Sequence, residues 1–220
     1  IEHVVEYAHC QLHDRMGHWE TYLDLYRPEV DRYRQGGSFQ EIAWGNYFLA
    51  NSQLELNRFD SLGDLSEAEE RMKENIDIGW LRYISYLLLV IVYARIDQFG
   101  KAKDILLEAE KHAYTIEDNG MVQARSSAEF ELAFAEKRWN DAVKFSEKTI
   151  AIMKSSKHHW KLARKLIDLG DALIGRNEPG DLERAQEIYQ QSLDMFTEMG
   201  ASGYIKVLED RLRDLPSRNL

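Results

Sequence analysis

Two histidines near the N-terminus have a spacing that suits metal binding. His9 and His13 lie four residues apart, so they would share one face of a helix, beside Cys10 and Asp14. Imidazole and thiolate groups at such a spacing can hold zinc. The sequence offers no glutamate in an HExxH position and no second pair of ligands, which favours an ordinary helix instead. We therefore expect no bound metal and no cofactor.

Basic residues cluster in one stretch of an acidic chain. The net charge is −10, yet residues 137–165 contain nine lysines or arginines against two acidic residues. The members that share faces of two successive predicted helices form the predicted basic patch: Lys144, Lys148, Lys157, Lys161 and Arg164. Such a surface would attract an acidic protein, whereas the overall charge and the lack of interleaved aromatic residues disfavour nucleic acid. We therefore expect a protein or peptide partner.

The chain carries no residue pattern of a familiar catalytic site. It has no glycine-rich phosphate loop, nucleophile elbow or paired-carboxylate motif. The acidic run Glu67, Glu69 and Glu70 indicates a solvated helix face. These observations predict that the protein is not an enzyme.

The elements that position these residues repeat with a fixed period. Trp19, Phe59, Phe99 and Trp139 are successively 40 residues apart, and each follows a short polar turn and precedes a helical stretch. A fifth copy carries Leu182 after a gap of 43 residues. A fixed period of this length is typical of stacked helix pairs. We therefore predict an all-α chain built as a repeat array.

The repeat predicts one domain over residues 1–215, made of five antiparallel helix pairs and a capping helix. The pairs, the capping helix and a tail would occupy residues 1–37, 38–79, 80–120, 121–157, 158–200, 201–215 and 216–220. Gly36-Gly37 should end the first pair in a left-handed conformation. Ser126-Ser127 could delay the start of the fourth pair.

The most apolar run predicts a buried helix at the centre of the array. It extends for 12 residues from Tyr83 to Ala94 and is bracketed by Arg82 and Arg95. A membrane span needs about 20 residues, so this run is too short for one. We expect no membrane association, and the single Cys10 fits a reducing compartment such as the cytoplasm.

Small residues recur where the paired helices should cross. Ala102 and Ala142 lie three residues after Phe99 and Trp139, the aromatic residues that mark two of the turns. Ala185 has the equivalent position in the fifth repeat, whose turn is three residues longer. In these features the chain resembles the tetratricopeptide-repeat superfamily, although Tyr22 and Leu62 replace the small residue in the first two repeats. The period of 40 is similar to that of the longer repeats in the bacterial maltose regulator and its relatives. The resemblance implies a right-handed solenoid; HEAT-type helix pairs are the structural alternative.

The resemblance also implies a function. Such arrays act as non-catalytic interaction or regulatory scaffolds in large bacterial signalling proteins, and a first residue of Ile rather than Met suggests an excised module. Arrays of this family bind partners in a concave groove. The family's groove positions fall on Tyr7, Gln11, Tyr47, Asn51, Arg95, Glu131, Arg164 and Asp171. A small-molecule or peptide sensor that binds its ligand in this groove is the alternative function, and homo-oligomerisation is a further option.

Overall fold

The computed structural model describes residue 9 and the ranges 11–37, 39–58, 65–76, 81–113, 119–154 and 159–215. Every regular element in these ranges is a helix, which confirms the all-α class. The first, α1, covers residues 11–16. The others are α2 (Trp19–Gly36), α3 (Phe39–Arg58), α4 (Leu65–Ile76), α5 (Arg82–Arg95), α6 (Phe99–Glu110), α7 (Asn119–Ala135), α8 (Trp139–Lys154), α9 (His159–Arg176), α10 (Asp181–Met199) and α11 (Ser202–Asp214).

The chain forms two compact units, Ile1–Glu117 and Asp118–Leu220. In the first unit α2 packs on α3, α3 on α4, α4 on α5, and α5 on α6. In the second unit α7 packs on α8, α8 on α9, α9 on α10, and α10 on α11. Within each unit the helices from α2 onward therefore pack on their neighbours in sequence, as predicted for helix pairs. The division between the units falls close to the predicted junction of the third and fourth helix pairs. That residues 1–215 form a single domain stays a prediction.

The backbone of the turns repeats with the period of the sequence. Gly17, Asp97, Lys137 and Asn177 have positive φ angles of 73°, 58°, 57° and 53°. Their positions differ by multiples of 40 residues. A left-handed conformation costs a residue with a side chain about 1–2 kcal/mol, so chance would not place three such residues in this register. The turn geometry itself is therefore the repeated feature.

Hydrogen bonding in three of these turns is the same. In each, an N–H donates to the carbonyl five residues earlier, which closes the helix end as in a Schellman motif. The donor and acceptor residues are His18 and His13 at 2.9 Å, Gln98 and Tyr93 at 2.9 Å, and Arg138 and Ala133 at 2.8 Å. The next helix then begins at the aromatic residue that marks the repeat in the sequence, namely Trp19, Phe99 or Trp139.

The small residues predicted to lie between paired helices are buried, and Gly170 lies at a close contact between helices. Ala102, Ala142 and Ala185 are fully buried. Gly170 of α9 approaches Tyr189 of α10 so closely that a Cβ atom there would lie 2.2 Å from the ring Cε1 atom. No side chain fits in that space, so the observed packing of α9 on α10 requires glycine at this position.

Most of the apolar run of α5 is buried, which confirms the prediction for this segment except at Ile84 and Tyr86, which are half-buried. All residues from Leu87 to Ala94 are buried. Helix α5 packs on α4 and α6 and also contacts α3, so it lies in the core of the first unit. Among the described helices, none is both long enough and apolar enough to cross a bilayer.

Two local predictions about helix ends were wrong. Helix α2 does end at Gly36, but Gly37 is extended, with φ −87° and ψ 172°, rather than left-handed. Helix α7 begins at Asn119, so Ser126 and Ser127 lie inside it. Ser126 is fully buried, and the hydroxyl of Ser127 donates to the carbonyl of Gln123 at 3.0 Å. A serine that bonds back along its own helix is tolerated mid-helix, which explains the difference.

Candidate functional site

The residues predicted to line a groove have several environments. Tyr7 lies outside the described residues. Of the other seven, Arg95 and Asp171 bond within their own unit. The remainder are half-buried or, in the case of Glu131, buried: Gln11, Tyr47, Asn51, Glu131 and Arg164. The set is divided between the two units at 117/118, so the structure does not establish one common site.

Aromatic rings cover part of the predicted groove face of α3. The ring of Tyr47 packs edge-on against Trp44 and Phe48, with centroid distances of 5.7 and 5.4 Å. Trp44 stacks on Phe48 at 5.7 Å. Trp44 is 36% exposed, and Phe39 at the start of α3 is 83% exposed. Helix α3 therefore presents aromatic surface to solvent at Trp44 and Phe39, about two and three turns before Asn51.

Asp171 has a structural role that its sequence position did not reveal. Nε of Arg211 donates to its Oδ1 at 2.7 Å, and Nη2 donates to its Oδ2 at 3.0 Å. The Tyr189 hydroxyl also donates to Oδ1, at 2.6 Å. Burial, followed by the nearby Asp171 charge, raises the pKa of Tyr189, so this hydroxyl keeps its proton. One carboxylate thus joins α9, α10 and α11. Similarly, the guanidinium of Arg95 donates to the carbonyl of Leu54 and joins α5 to α3.

Three lysines of the predicted basic patch are exposed: Lys144 and Lys148 on α8, and Lys161 on α9. Within the described ranges no carboxylate lies in ion-pair distance of these three. Arg164 is half-buried and its guanidinium lies 6.0 Å from the centroid of the Trp160 ring. Lys157 lies outside the described residues. We define Lys144, Lys148 and Lys161 as the exposed lysine set.

Other basic residues of the second unit do form ion pairs. Lys165 pairs with Asp168 at 2.8 Å, and Arg184 of α10 pairs with Glu147 of α8 at 2.5 Å. Arg138 pairs with Asp141 and Glu136. Glu147, the acidic residue next to Lys148, is therefore already engaged by Arg184. The exposed lysine set differs from these neighbours because no described carboxylate pairs with its charges.

The first unit contains a polar network that sequence reasoning missed. Arg34 of α2 donates to Glu74 of α4 at 2.6 Å, and Arg27 donates to Glu67 at 3.0 Å. In both pairs the two residues are 40 positions apart. Asn46 of α3 is fully buried and donates to Glu74 at 2.8 Å. Opposite charges one period apart were the signal that could have identified these contacts.

Asn46 is the centre of this network. It accepts a hydrogen bond from Arg71 at 3.2 Å and donates to Asn75 at 3.3 Å. Asn75, also fully buried, donates to the carbonyl of Ala43 at 2.9 Å. Because buried polar groups are costly unless they are bonded, this arrangement specifies how α2, α3 and α4 pack.

The acidic run on α4 is not the solvated face that its sequence indicated. Besides the bond from Arg27 to Glu67, Glu69 accepts a hydrogen bond from the Tyr93 hydroxyl at 2.6 Å and pairs with Lys73 at 2.6 Å. The Lys73 hydrogen bond lowers the pKa of Glu69. Burial and the bond to Glu69 raise the pKa of Tyr93 to about 12. The prediction failed because two of these partners lie on other helices; Glu70 is exposed as expected.

Three histidines at the start of the described chain contact one another. His13 Nε2 lies 3.3 Å from His9 Nε2, and His13 Nδ1 lies 3.3 Å from His18 Nδ1. Burial, then the charges of His9 and His18, lower the pKa of His13. The imidazoles form a row and do not surround one point. Consistent with this, no group of three or more metal-binding side chains among the described residues is arranged to hold an ion.

Comparison with protein-family models finds none that matches this chain. Comparison with curated proteins finds no match either. The tetratricopeptide resemblance consequently stays a prediction, and the functional argument depends on the geometry of the residues described above.

Proposed function

We propose that this protein is a non-catalytic interaction scaffold that binds an acidic protein surface, either a separate partner or another domain of the same protein. The observation that carries the proposal is the exposed lysine set on α8 and α9. Lys144, Lys148 and Lys161 have no ion pair within the described part of the chain, although nearby Lys165 and Arg184 are paired. Uncompensated surface charge of this kind steers association with an oppositely charged partner.

An acidic protein fits these lysines better than a nucleic acid does. The chain carries 38 acidic against 28 basic residues, so a long polyanion would be repelled by the rest of the molecule. A protein carboxylate cluster is compact and can meet the lysines alone. Exposed lysine–carboxylate pairs contribute little affinity individually, so their main effects are on the association rate and on partner choice.

The proposed architecture is tetratricopeptide-like, with the right-handed superhelical turn of that superfamily. Its support is the pairwise packing of successive helices and the left-handed turn residues at multiples of 40 positions. The fully buried alanines at the predicted crossings, Ala102, Ala142 and Ala185, add to it. A scaffold of this type would act in regulation by holding a partner.

A second candidate function is the sensing of a peptide or small molecule on the aromatic face of α3. The observation that favours it is the partial exposure of Trp44 and Tyr47 on α3, the helix that also carries the 83% exposed Phe39. An aromatic surface of this kind would bind an apolar or planar group. A ligand on this face would raise the melting temperature of the protein, and Trp44→Ala would abolish that increase.

Partner capture with charge-reversed variants tests the proposed function. The test variant is Lys144→Glu/Lys148→Glu, and the matched control is Lys103→Glu/Lys206→Glu, which changes the net charge equally at two exposed lysines elsewhere. Proteins captured by the wild type and the control, but lost with the test variant, would be the specific partners. If the test and control variants capture the same proteins to the same extent, the exposed lysine set is not a binding surface.

A further inference from the structure

Two of the three histidines near the N-terminus have the nitrogen separation of a metal-binding pair. His9 Nε2 and His13 Nε2 lie 3.3 Å apart. Zinc–nitrogen bonds of about 2.0–2.1 Å at tetrahedral angles place two nitrogen ligands about 3.3–3.4 Å from each other. The 3.3 Å separation, which also suits an N–H···N hydrogen bond between the two rings, equals the separation of two imidazole nitrogens on one tetrahedral zinc ion.

The third histidine has the position of a supporting residue. His18 Nδ1 lies 3.3 Å from His13 Nδ1, the nitrogen of His13 that faces away from His9. A histidine that binds a metal through one ring nitrogen usually donates a hydrogen bond from the other, which fixes its tautomer and orientation. In this arrangement His13 Nδ1–H would donate to His18 Nδ1, and His13 Nε2 would be free to bind the ion.

We propose that His9 and His13 bind a zinc ion through their Nε2 atoms, with His18 as the positioning residue for His13. The site uses two protein ligands, which agrees with the absence of any converging group of three or more among the described residues. His9 is exposed, so water can fill the remaining coordination positions. A site with only two protein ligands is expected to bind zinc more weakly than a closed structural site with four.

Calorimetric titration of the metal-free chain with Zn²⁺ at pH 7.5 tests the proposal. We expect one equivalent to bind to the wild type. His13→Gln and His9→Gln should each remove this binding, and His18→Gln should weaken it by about tenfold or more, as expected for loss of a supporting hydrogen bond. His159→Gln changes an exposed histidine on α9 and should leave the affinity unchanged.

Two further measurements keep the result interpretable. Circular dichroism of each variant in zinc-free buffer checks that it folds like the wild type, and the exposed position of His9 makes His9→Gln the safer variant. Cys10→Ser should retain zinc binding, because the proposed ligands are the two imidazoles. The proposal is overturned if the wild type binds no zinc, or if a folded His9→Gln or His13→Gln variant binds it as tightly as the wild type.

Discussion

Arg211 and Asp171 lie 40 residues apart and form a two-point ion pair between α11 and α9, with distances of 2.7 and 3.0 Å. The same separation of 40 residues relates Arg27 to Glu67 in the first unit. The period of the sequence is therefore also a period of contacts, in which residues one repeat apart touch. A substitution at such a position affects the packing of successive helix pairs and not only of one helix.

Replacing Asp171 by alanine should destabilise the second unit. The change leaves the Arg211 guanidinium and the Tyr189 hydroxyl without their shared acceptor, and losing the partner of a buried polar group costs about 1–3 kcal/mol. Urea unfolding would measure the loss in the free energy of unfolding. Asp210→Ala is the control, because among the described residues Asp210 pairs only with the 68% exposed Arg213. Its effect should stay within about 0.5 kcal/mol, and equal losses for both variants would contradict the structural role of Asp171.

The sequence predicted the helix pairs better than the contacts between them. Helical periodicity and small residues such as Ala142 are local signals, and they identified the helices and several of their buried positions. The roles of Asp171 and Arg95 depend on partners 40 and 41 residues away. Nothing in the local pattern distinguishes a charged residue that faces a groove from one that binds a neighbouring helix. The exposed lysines were predictable because solvation of a charge needs no distant partner.

A glycine-to-alanine change should test the position of Trp139. The Trp139 ring packs edge-on against Phe134 of α7 at 5.2 Å, and it also covers Gly175 of α9. A Cβ atom at Gly175 would lie 2.6 Å from the ring Cζ3 atom. Gly175→Ala should therefore cost about 1–3 kcal/mol by overpacking, although alanine is the better helix former.

Removing the Trp139 ring should abolish the cost of Gly175→Ala. Trp139→Ala alone should cost about 3–5 kcal/mol, as expected for truncation of a large aromatic residue between two helices. In the Trp139→Ala background, Gly175→Ala should become neutral or stabilising by up to about 1 kcal/mol, because the clash is gone and helix propensity remains. Equilibrium unfolding of the four proteins gives the coupling energy. A loss below about 1 kcal/mol for Trp139→Ala would show that the ring does not fill this space.

Asn46→Ala should destabilise the first unit. Asn46 is fully buried and bonds to Arg71, Glu74 and Asn75, so its removal takes one hydrogen bond from each of these three residues. We expect a cost of about 2–3 kcal/mol in chemical unfolding. The control is Asn51→Ala on the same helix, at a half-buried position, with an expected cost below about 1 kcal/mol. Similar costs for the two variants would indicate that the network does not hold α2, α3 and α4 together.

The stability of the second unit should depend on the charge of Asp181 in a defined pH range. Arg176 donates to Asp181 at 2.6 Å and lowers the pKa of this carboxyl below its ordinary value of 3.8. A lowered folded-state pKa gives stability that is fully present above the unfolded-state pKa and is lost as pH falls through the folded-state pKa. The difference in unfolding free energy between the wild type and Asp181→Asn should therefore be constant from about pH 7 to 5 and shrink below about pH 4. Urea unfolding at several pH values measures it, and a difference that already shrinks between about pH 7 and 5 would contradict a lowered pKa.

The salt dependence of partner binding tests the central claim most directly. A captured partner would be titrated against the wild type, Lys144→Glu/Lys148→Glu/Lys161→Glu and the Lys103→Glu/Lys206→Glu control at low and high salt. We expect the triple variant to bind at least about tenfold more weakly at low salt, with a smaller deficit at high salt, because exposed charges are screened over about 8 Å at 0.15 M ionic strength. The control should bind like the wild type at both concentrations. An affinity of the triple variant equal to that of the wild type, with the same salt dependence, would contradict the claim that the exposed lysine set binds an acidic protein surface.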